Sequence, residues 1–365
     1  MPRSSGAKLW STLNKAAARN ARRMQRAVNQ NLTGRMTEAI VRNAVKQSAA
    51  VTAATQRALS GVVSPVQAPQ NRGSGRWEEG AWGAPLAPRR YRIFVPAGVT
   101  ASRRAPMLVL LHGCGQDAAS FAAVTRAAAV AREAGWVVLL PEQTSQANAQ
   151  RCWNWFRPAA QGGVEAGLLM ALIDQACRGH PVAADRISVL GLSAGGAMAL
   201  MLGLRYPERF AAVGSHSGAV PWSATNAAQA ARAMRGGRGP DAKAMKALRL
   251  GLAGRRPPPL LLLHGDADHV VDFSNATAAA GMWMHLQPED AHPLSEVPAR
   301  RIQRGMRRAM DVSDWTEGKS PYVRLVRIEG LGHAWSGGAG GQAFSDPAGP
   351  DGLKLALRFL LAVGG

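Results

Sequence analysis

The segment Gly191-Leu192-Ser193-Ala194-Gly195, with Gly196 next, offers the plainest chemistry in this chain. A serine hydroxyl is a poor nucleophile until an imidazole takes its proton, and the imidazole needs a carboxylate to hold its tautomer. So armed, Ser193 would attack an ester carbonyl and carry the acyl group covalently. Two later segments hold the other residue types: His264-Gly265-Asp266-Ala267-Asp268-His269-Val270 and Gly330-Leu331-Gly332-His333-Ala334-Trp335. His333 is the expected base, because the flanking glycine suits a tight loop that presents the ring. Asp268, early in its loop, is the expected acid; Asp266 is expected to brace the turn and Asp272 to lie towards the next helix. The alkoxide that develops needs two backbone N–H donors. Ala194 supplies one, and Cys114 in His112-Gly113-Cys114-Gly115-Gln116 is the choice for the other, with a purely structural turn as the competing reading of that loop.

A glycine-flanked serine of this kind has to sit on a sharp strand-to-helix turn. An apolar run, Ile187–Leu190, precedes it and a helical stretch, Gly195–Arg205, follows. Further strand-length runs occur at Tyr91–Val95, Met107–Leu111, Trp136–Leu140, Ala211–Ser215, Leu260–Leu263 and Val323–Ile328. Helical patterns at Phe121–Ala134, Val164–Cys177 and Leu353–Val363 lie between and after them. Aliphatic strands separated by helices imply an α/β chain with a mostly parallel sheet covered on both faces. The nucleophile, acid and base follow in that order, each after a later strand, which is the arrangement of an α/β-hydrolase. This domain is expected over residues 76–365. Pro221–Pro259 and Gly281–Ser320 fit the alternation poorly and read as insertions near the active site, either a cap or long surface loops. Residues 60–90, rich in Gly, Pro, Ser and Gln, read as a linker.

Five motifs in order carry a resemblance to a known family. His112–Gln116, Cys152-Trp153-Asn154-Trp155-Phe156, the Ser193 turn, His264–Val270 and Gly332-His333-Ala334-Trp335 resemble the esterase family of polyhydroxybutyrate depolymerases, which is close to feruloyl and acetylxylan esterases. The similarity runs from about Tyr91 to the C-terminus. It implies ester hydrolysis with no metal or organic cofactor, Ser193, Asp268 and His333 as triad, and Cys114 and Ala194 as oxyanion donors. It also implies a short-chain hydroxyalkanoate polyester or its oligomers as substrate, with a feruloyl, acetyl or other short-chain acyl ester as the alternative. Trp335, Trp153 and Trp155 are candidates for an apolar wall around the acyl chain, against plain core packing. Cys114 and Cys152 lie in motif loops that could approach each other and form a bridge.

The net charge of +21 is concentrated outside these motifs. Residues 1–50 hold ten Lys/Arg and one acid, Glu38. Leu9, Leu13, Met24, Val28, Leu32, Met36 and Ile40 lie mostly four apart, so residues 1–75 read as a basic helical or partly disordered extension and linker. Such helices suit the surface of a polyester granule or an anionic membrane. Zinc-ligand spacing and a helix-turn-helix pattern are both missing, so sequence-specific nucleic-acid binding is not expected. Nor does the N-terminus show the apolar stretch of about 7–15 residues that a secretory signal needs. The expected location is therefore cytoplasmic or granule-associated, with export by another route as the alternative. A non-catalytic granule- or membrane-binding protein is the rival from a different class, and an intact Ser, Asp and His set weighs against it.

Overall fold

The structure, a computed structural model, describes residues 75–82, 89–156 and 159–363. The basic extension, its expected helices and its docking role lie outside the described residues, apart from Gly75.

Six parallel strands form the centre of a ten-stranded sheet. In spatial order they are β4 (Val137–Pro141), β3 (Ala105–Leu111), β5 (Val182–Leu192), β6 (Ala212–His216), β7 (Leu260–Gly265) and β10 (Ser320–Ile328). At one side β2 (Arg89–Val95) pairs antiparallel with β4, and β1 (Arg76–Trp82) antiparallel with β2. At the other, β9 (Met310–Glu317) and β8 (Ser295–Ile302) continue antiparallel from β10. The pair β11 (Trp335–Ser336) and β12 (Ser345–Asp346) stands apart.

The central strands are aliphatic because both of their faces are covered. β3 is buried at all of its positions. Its Leu108 and Leu110 join one core with Phe121, Val130 and Phe359, while Met107, Val109 and Leu111 join the other with Ile173, Met198 and Trp283. Helices α1 (Ala118–Thr125), α2 (Ala127–Ala134) and α8 (Gly352–Val363) cover the first face. On the second lie α3 (Ala159–Gly179), α4 (Ala194–Arg205), α5 (Ala227–Arg235), α6 (Ala242–Leu252) and α7 (Ser274–His285). All seven expected strands are present, in a mostly parallel α/β architecture.

Three expectations need correction. The helix expected over Phe121–Ala134 is two, because Arg126 adopts a left-handed backbone (φ 54°, ψ 36°). Its guanidinium is drawn away to Gly337 O at 2.8 Å and Asp351 Oδ2 at 2.5 Å. The linker expected over residues 60–90 contains β1, which the register Arg76↔Val95 to Trp82↔Arg89 zips onto β2. Gly281–Ser320 is not a cap: after the end of α7 it supplies the whole of β8 and β9, an antiparallel extension of the sheet. The first insertion forms α5 and α6, clipped to the acid-bearing loop by Asp272 N–H donating to Met234 O at 2.7 Å and by Asn275 Nδ2–H donating to Met234 O at 2.9 Å.

Candidate active site

Ser193 lies between β5 and α4 with φ 56° and ψ −119°, a conformation L-residues rarely adopt. The residues two before and two after it must be glycine because the turn is tight. A Cβ on Gly191 would lie 2.2 Å from the Gly195 carbonyl, and one on Gly195 would lie 2.2 Å from Leu111 O. Ser193 N–H donates to His216 O at 2.8 Å, which anchors the turn to β6.

Three distant segments converge here. Ser193 Oγ lies 2.9 Å from His333 Nε2, and His333 Nδ1 lies 2.7 Å from Asp268 Oδ2. The carboxylate only accepts, so Nδ1 carries the proton and Nε2 presents its lone pair to the serine O–H. The other Asp268 oxygen accepts from Val270 N–H and Val271 N–H, both at 2.9 Å. His264 adds a third support: its Nε2–H donates to Val271 O at 2.8 Å and lies 3.5 Å from Asp268 Oδ2. Burial works to raise the Asp268 pKa, but the His333 charge and the histidine hydrogen bonds outweigh it and hold the carboxyl well below the usual range. Asp266 braces the turn that leads to His333, accepting from Gly330 N–H at 2.7 Å and pairing with Arg327 at 3.0 Å. Asp272 accepts from Ser274 N–H at 2.9 Å at the start of α7.

The loop after β3 lies against the nucleophile: a Cβ on Gly113 would be 3.6 Å from Ser193 Cβ. Gly113 N–H donates to Gln116 Oε1 at 2.9 Å, and Gly115 N–H to Gln150 O at 2.8 Å. Gly115 has φ 76°, open to glycine without strain. The Cys114 N–H has no acceptor among the described residues, and the Ala194 N–H is one of the free donors that a helix leaves at its first turn. Cys114 and Cys152 form a disulfide, Cα–Cα 4.3 Å, that ties this loop to the Cys152–Phe156 segment.

Behind both loops lies a buried polar network. Gln143 N–H donates to His112 Nε2 at 3.0 Å, so the His112 proton sits on Nδ1, which donates to Gly113 O at 2.8 Å. Burial is the main cause that lowers the His112 pKa to about 4 and keeps the ring neutral. The Glu165 carboxylate accepts from Asn154 N–H at 2.6 Å, Gln143 Nε2–H at 2.5 Å and Arg89 Nη1–H at 3.3 Å. On the other side of the nucleophile, His216 Nε2 accepts from Ser336 N–H at 3.1 Å, and burial, aided by the His264 and His333 charges, lowers its pKa to about 3.

The tryptophans do not form the expected wall. Trp153 and Trp335 are fully buried and Trp155 nearly so. Trp153 Nε1–H donates to His112 O at 3.0 Å, and Trp335 stacks on His216 with centroids 5.1 Å apart. Trp155 meets Phe156 edge-on at 5.6 Å. Their rings are spent on bracing the loops from behind. Glu165, His216, His264, Gln143 and Arg89 complete the site without being assigned a role by the motifs. Glu165 has a signal, the single acid in the apolar stretch Val164–Ile173. Gln143 and Arg89 have none, since only the pairing of β2 with β4 brings them together.

Comparison with known proteins agrees with this geometry. The sequence profile of the family "Esterase PHB depolymerase" matches residues 89–292. Poly(3-hydroxyalkanoate) depolymerase C of Paucimonas lemoignei is 29% identical over 254 residues, 66% of this chain and 56% of that protein. The chain thus matches little more than half of that relative's length. Feruloyl esterase B of Neurospora crassa is 28% identical over 233 residues, 60% of this chain and 77% of that one. Among solved structures, an acetyl xylan esterase from Aspergillus awamori shares the fold with a TM-score of 0.59 at 15% identity, covering 78% of this chain and 99% of its own. With a profile match over more than half its length, the chain belongs to the esterase PHB depolymerase family of α/β-hydrolase-type carboxylic ester hydrolases.

Proposed function

We propose that the chain is a serine esterase in which Ser193, His333 and Asp268 act as the triad, and that its substrate is a hydroxyalkanoate polyester or its oligomers. One observation carries the catalytic part: the unbroken line of hydrogen bonds from Ser193 Oγ through His333 to Asp268, 2.9 Å and 2.7 Å long. His333 Nε2 takes the hydroxyl proton as Oγ bonds to the carbonyl carbon. The carbonyl oxygen becomes an alkoxide, and the free N–H groups of Cys114 and Ala194 are the donors beside Ser193 that would receive it. Asp268 holds the imidazolium in place. As the intermediate collapses, His333 passes the proton to the departing alcohol oxygen, leaving the acyl group on Ser193. Water, deprotonated by His333, then releases the acid and restores the hydroxyl.

The polyester assignment is supported by the name and similarity of the Paucimonas relative. Similarity to the Neurospora feruloyl esterase, which covers more of that relative's length, supports a second reading as an aryl-acyl esterase. A substrate panel decides between them: hydroxybutyrate oligomers, amorphous polyester, p-nitrophenyl esters and feruloyl esters. Hydrolysis of the oligomers and labelling by a fluorophosphonate, both abolished in Ser193→Ala, are the expected results. Turnover of the feruloyl ester alone would discard the polyester and keep the triad; equal labelling of the alanine variant would discard the triad. The Cys114–Cys152 bridge supports action in surroundings that oxidise thiols, in place of the reducing cytoplasm expected from the sequence. Docking of residues 1–50 on a granule or anionic membrane belongs to the same proposal, tested by cosedimentation with and without residues 1–74.

A further inference from the structure

Apart from the triad, whose residues do not line it, the tip of the β8–β9 hairpin faces α8 across a cavity of about 300 Å³. Six cations line it: Arg126, Arg304, Arg307, Arg308, Lys354 and Arg358. Asp351 is the single acid in the lining, and it is engaged, pairing with Arg126 at 2.5 Å and accepting from Lys354 N–H at 3.1 Å. Two more of the cations meet acids from outside the cavity, Arg308 with Asp346 at 2.7 Å and Lys354 with Glu133 at 2.9 Å. Arg307 reaches a neutral acceptor, Gly349 O, at 2.6 Å. Arg304 and Arg358 have no ion-pair partner among the described residues, and both are exposed.

Three guanidinium groups without a carboxylate therefore converge on one concavity. Like charges gathered in this way repel, and a cleft with partly apolar walls, here Ile302, Met310 and Leu355, concentrates their field. A planar guanidinium fork matches the paired oxygens of a phosphoryl group, and an anion of two or more charges offsets what a monocarboxylate cannot. We propose that this cavity is a binding site for a multiply charged phosphoryl group, either on a small soluble phosphate compound or on a lipid headgroup.

The test uses the full chain at constant ionic strength and inorganic pyrophosphate as probe, with binding followed by calorimetry. Arg304→Gln/Arg358→Gln removes two of the three free charges while keeping the aliphatic stems. Lys243→Gln/Lys246→Gln removes the same charge from the exposed face of α6 and controls for general attraction by a basic protein. The pyrophosphate Kd is expected to rise about tenfold in the arginine variant and to stay within about twofold in the lysine control. Loss of phosphatidic-acid-vesicle cosedimentation in the arginine variant alone, without pyrophosphate binding, would assign the phosphoryl group to a lipid; phosphatidylcholine vesicles, whose phosphodiester is balanced by choline, set the baseline. Equal weakening in both variants would overturn the site, as would wild-type protein that binds neither probe. Arg304→Gln alone, at an exposed hairpin tip, serves if the double variant does not fold. Hydrolysis of a soluble ester is expected to be unchanged throughout.

Discussion

Replacing Asp268 by Asn tests the proposed triad at its most constrained atom. Asp268 Oδ1 receives two backbone N–H groups, from Val270 and Val271 at 2.9 Å each, while Oδ2 receives His333 Nδ1–H at 2.7 Å. An asparagine has one acceptor and one donor end. Turning its NH2 towards Val270 and Val271 would set donor against two donors, leaving buried N–H groups unpaired at roughly 1–3 kcal/mol each. The amide therefore keeps its oxygen on the backbone and points NH2 at His333 Nδ1. That nitrogen must then accept, the ring proton moves to Nε2, and the lone pair 2.9 Å from Ser193 Oγ disappears. Wrong-tautomer histidine in a serine triad lowers kcat by about 10⁴, or roughly 5 kcal/mol on the barrier. Because the backbone contacts survive, the thermal midpoint is expected to move by only a few degrees. Single-turnover acylation with a p-nitrophenyl ester, beside calorimetric melting, reads both quantities. Asp266→Asn is the control: it keeps an oxygen for Gly330 N–H and is expected to cost less than about tenfold. Folded Asp268→Asn protein with kcat within tenfold of wild type would refute the reasoning. If Asp266→Asn were the damaged variant, the acid would have been misassigned.

Other consequences follow from the same contacts. Gly195→Ala is expected to give insoluble or inactive protein, because its Cβ would sit 2.2 Å from the backbone oxygen of Leu111; soluble protein with normal kcat would contradict the packing of the elbow. Breaking the Cys114–Cys152 bridge, which closes a separation of 38 residues, is expected to lower stability by about 4 kcal/mol on the loop-entropy model and to reduce kcat by loosening the Cys114 N–H. Urea midpoints and kcat for Cys114→Ser/Cys152→Ser check both. Acid should destabilise the fold in the window between pH 6.5 and about 3. An unfolded histidine binds its proton near pH 6.5, but His112 in the fold does so only near 4 and His216 only near 3. As pH falls through this window the unfolded chain takes up protons that the folded chain refuses, at about 2 kcal/mol per histidine by pH 5; above 6.5 the contribution is level. Urea midpoints that do not fall between pH 7 and pH 5 would contradict the neutral buried rings.

Local pattern carried much of the fold and most of the proposed site. The aliphatic runs of β3, β5 and β7 have one comfortable environment, a strand covered on both faces, so their burial follows from composition alone. The glycines at 191 and 195 have no side chain for a reason visible in the motif, because the turn has no room for one. Periodicity failed at the two edges of the sheet. β1 reads Arg-Trp-Glu-Glu-Gly-Ala-Trp and β8 reads Ser-Glu-Val-Pro-Ala-Arg-Arg-Ile; both carry charges, and β8 is largely exposed. Edge strands of that kind guard against unwanted pairing, and the charges that do so erase the apolar alternation by which strands are recognised. The tryptophans failed for a different reason. An aromatic next to a motif has the same chemistry whether it faces a substrate or the core, and only packing tells the two apart.

Residue types and their order determined which serine, histidine and acid could do chemistry, because a strained nucleophile turn and its partners need particular small and ionisable side chains at strand ends. What the sequence left open was decided by segments meeting at long range. The buried Glu165 network, the neutral rings of His112 and His216, and the crowding of arginines beside α8 arise from contacts between residues tens to hundreds of positions apart. Hydrogen bonds and charges act over a few ångströms of space, and distance along a chain has no bearing on them until the sheet has formed.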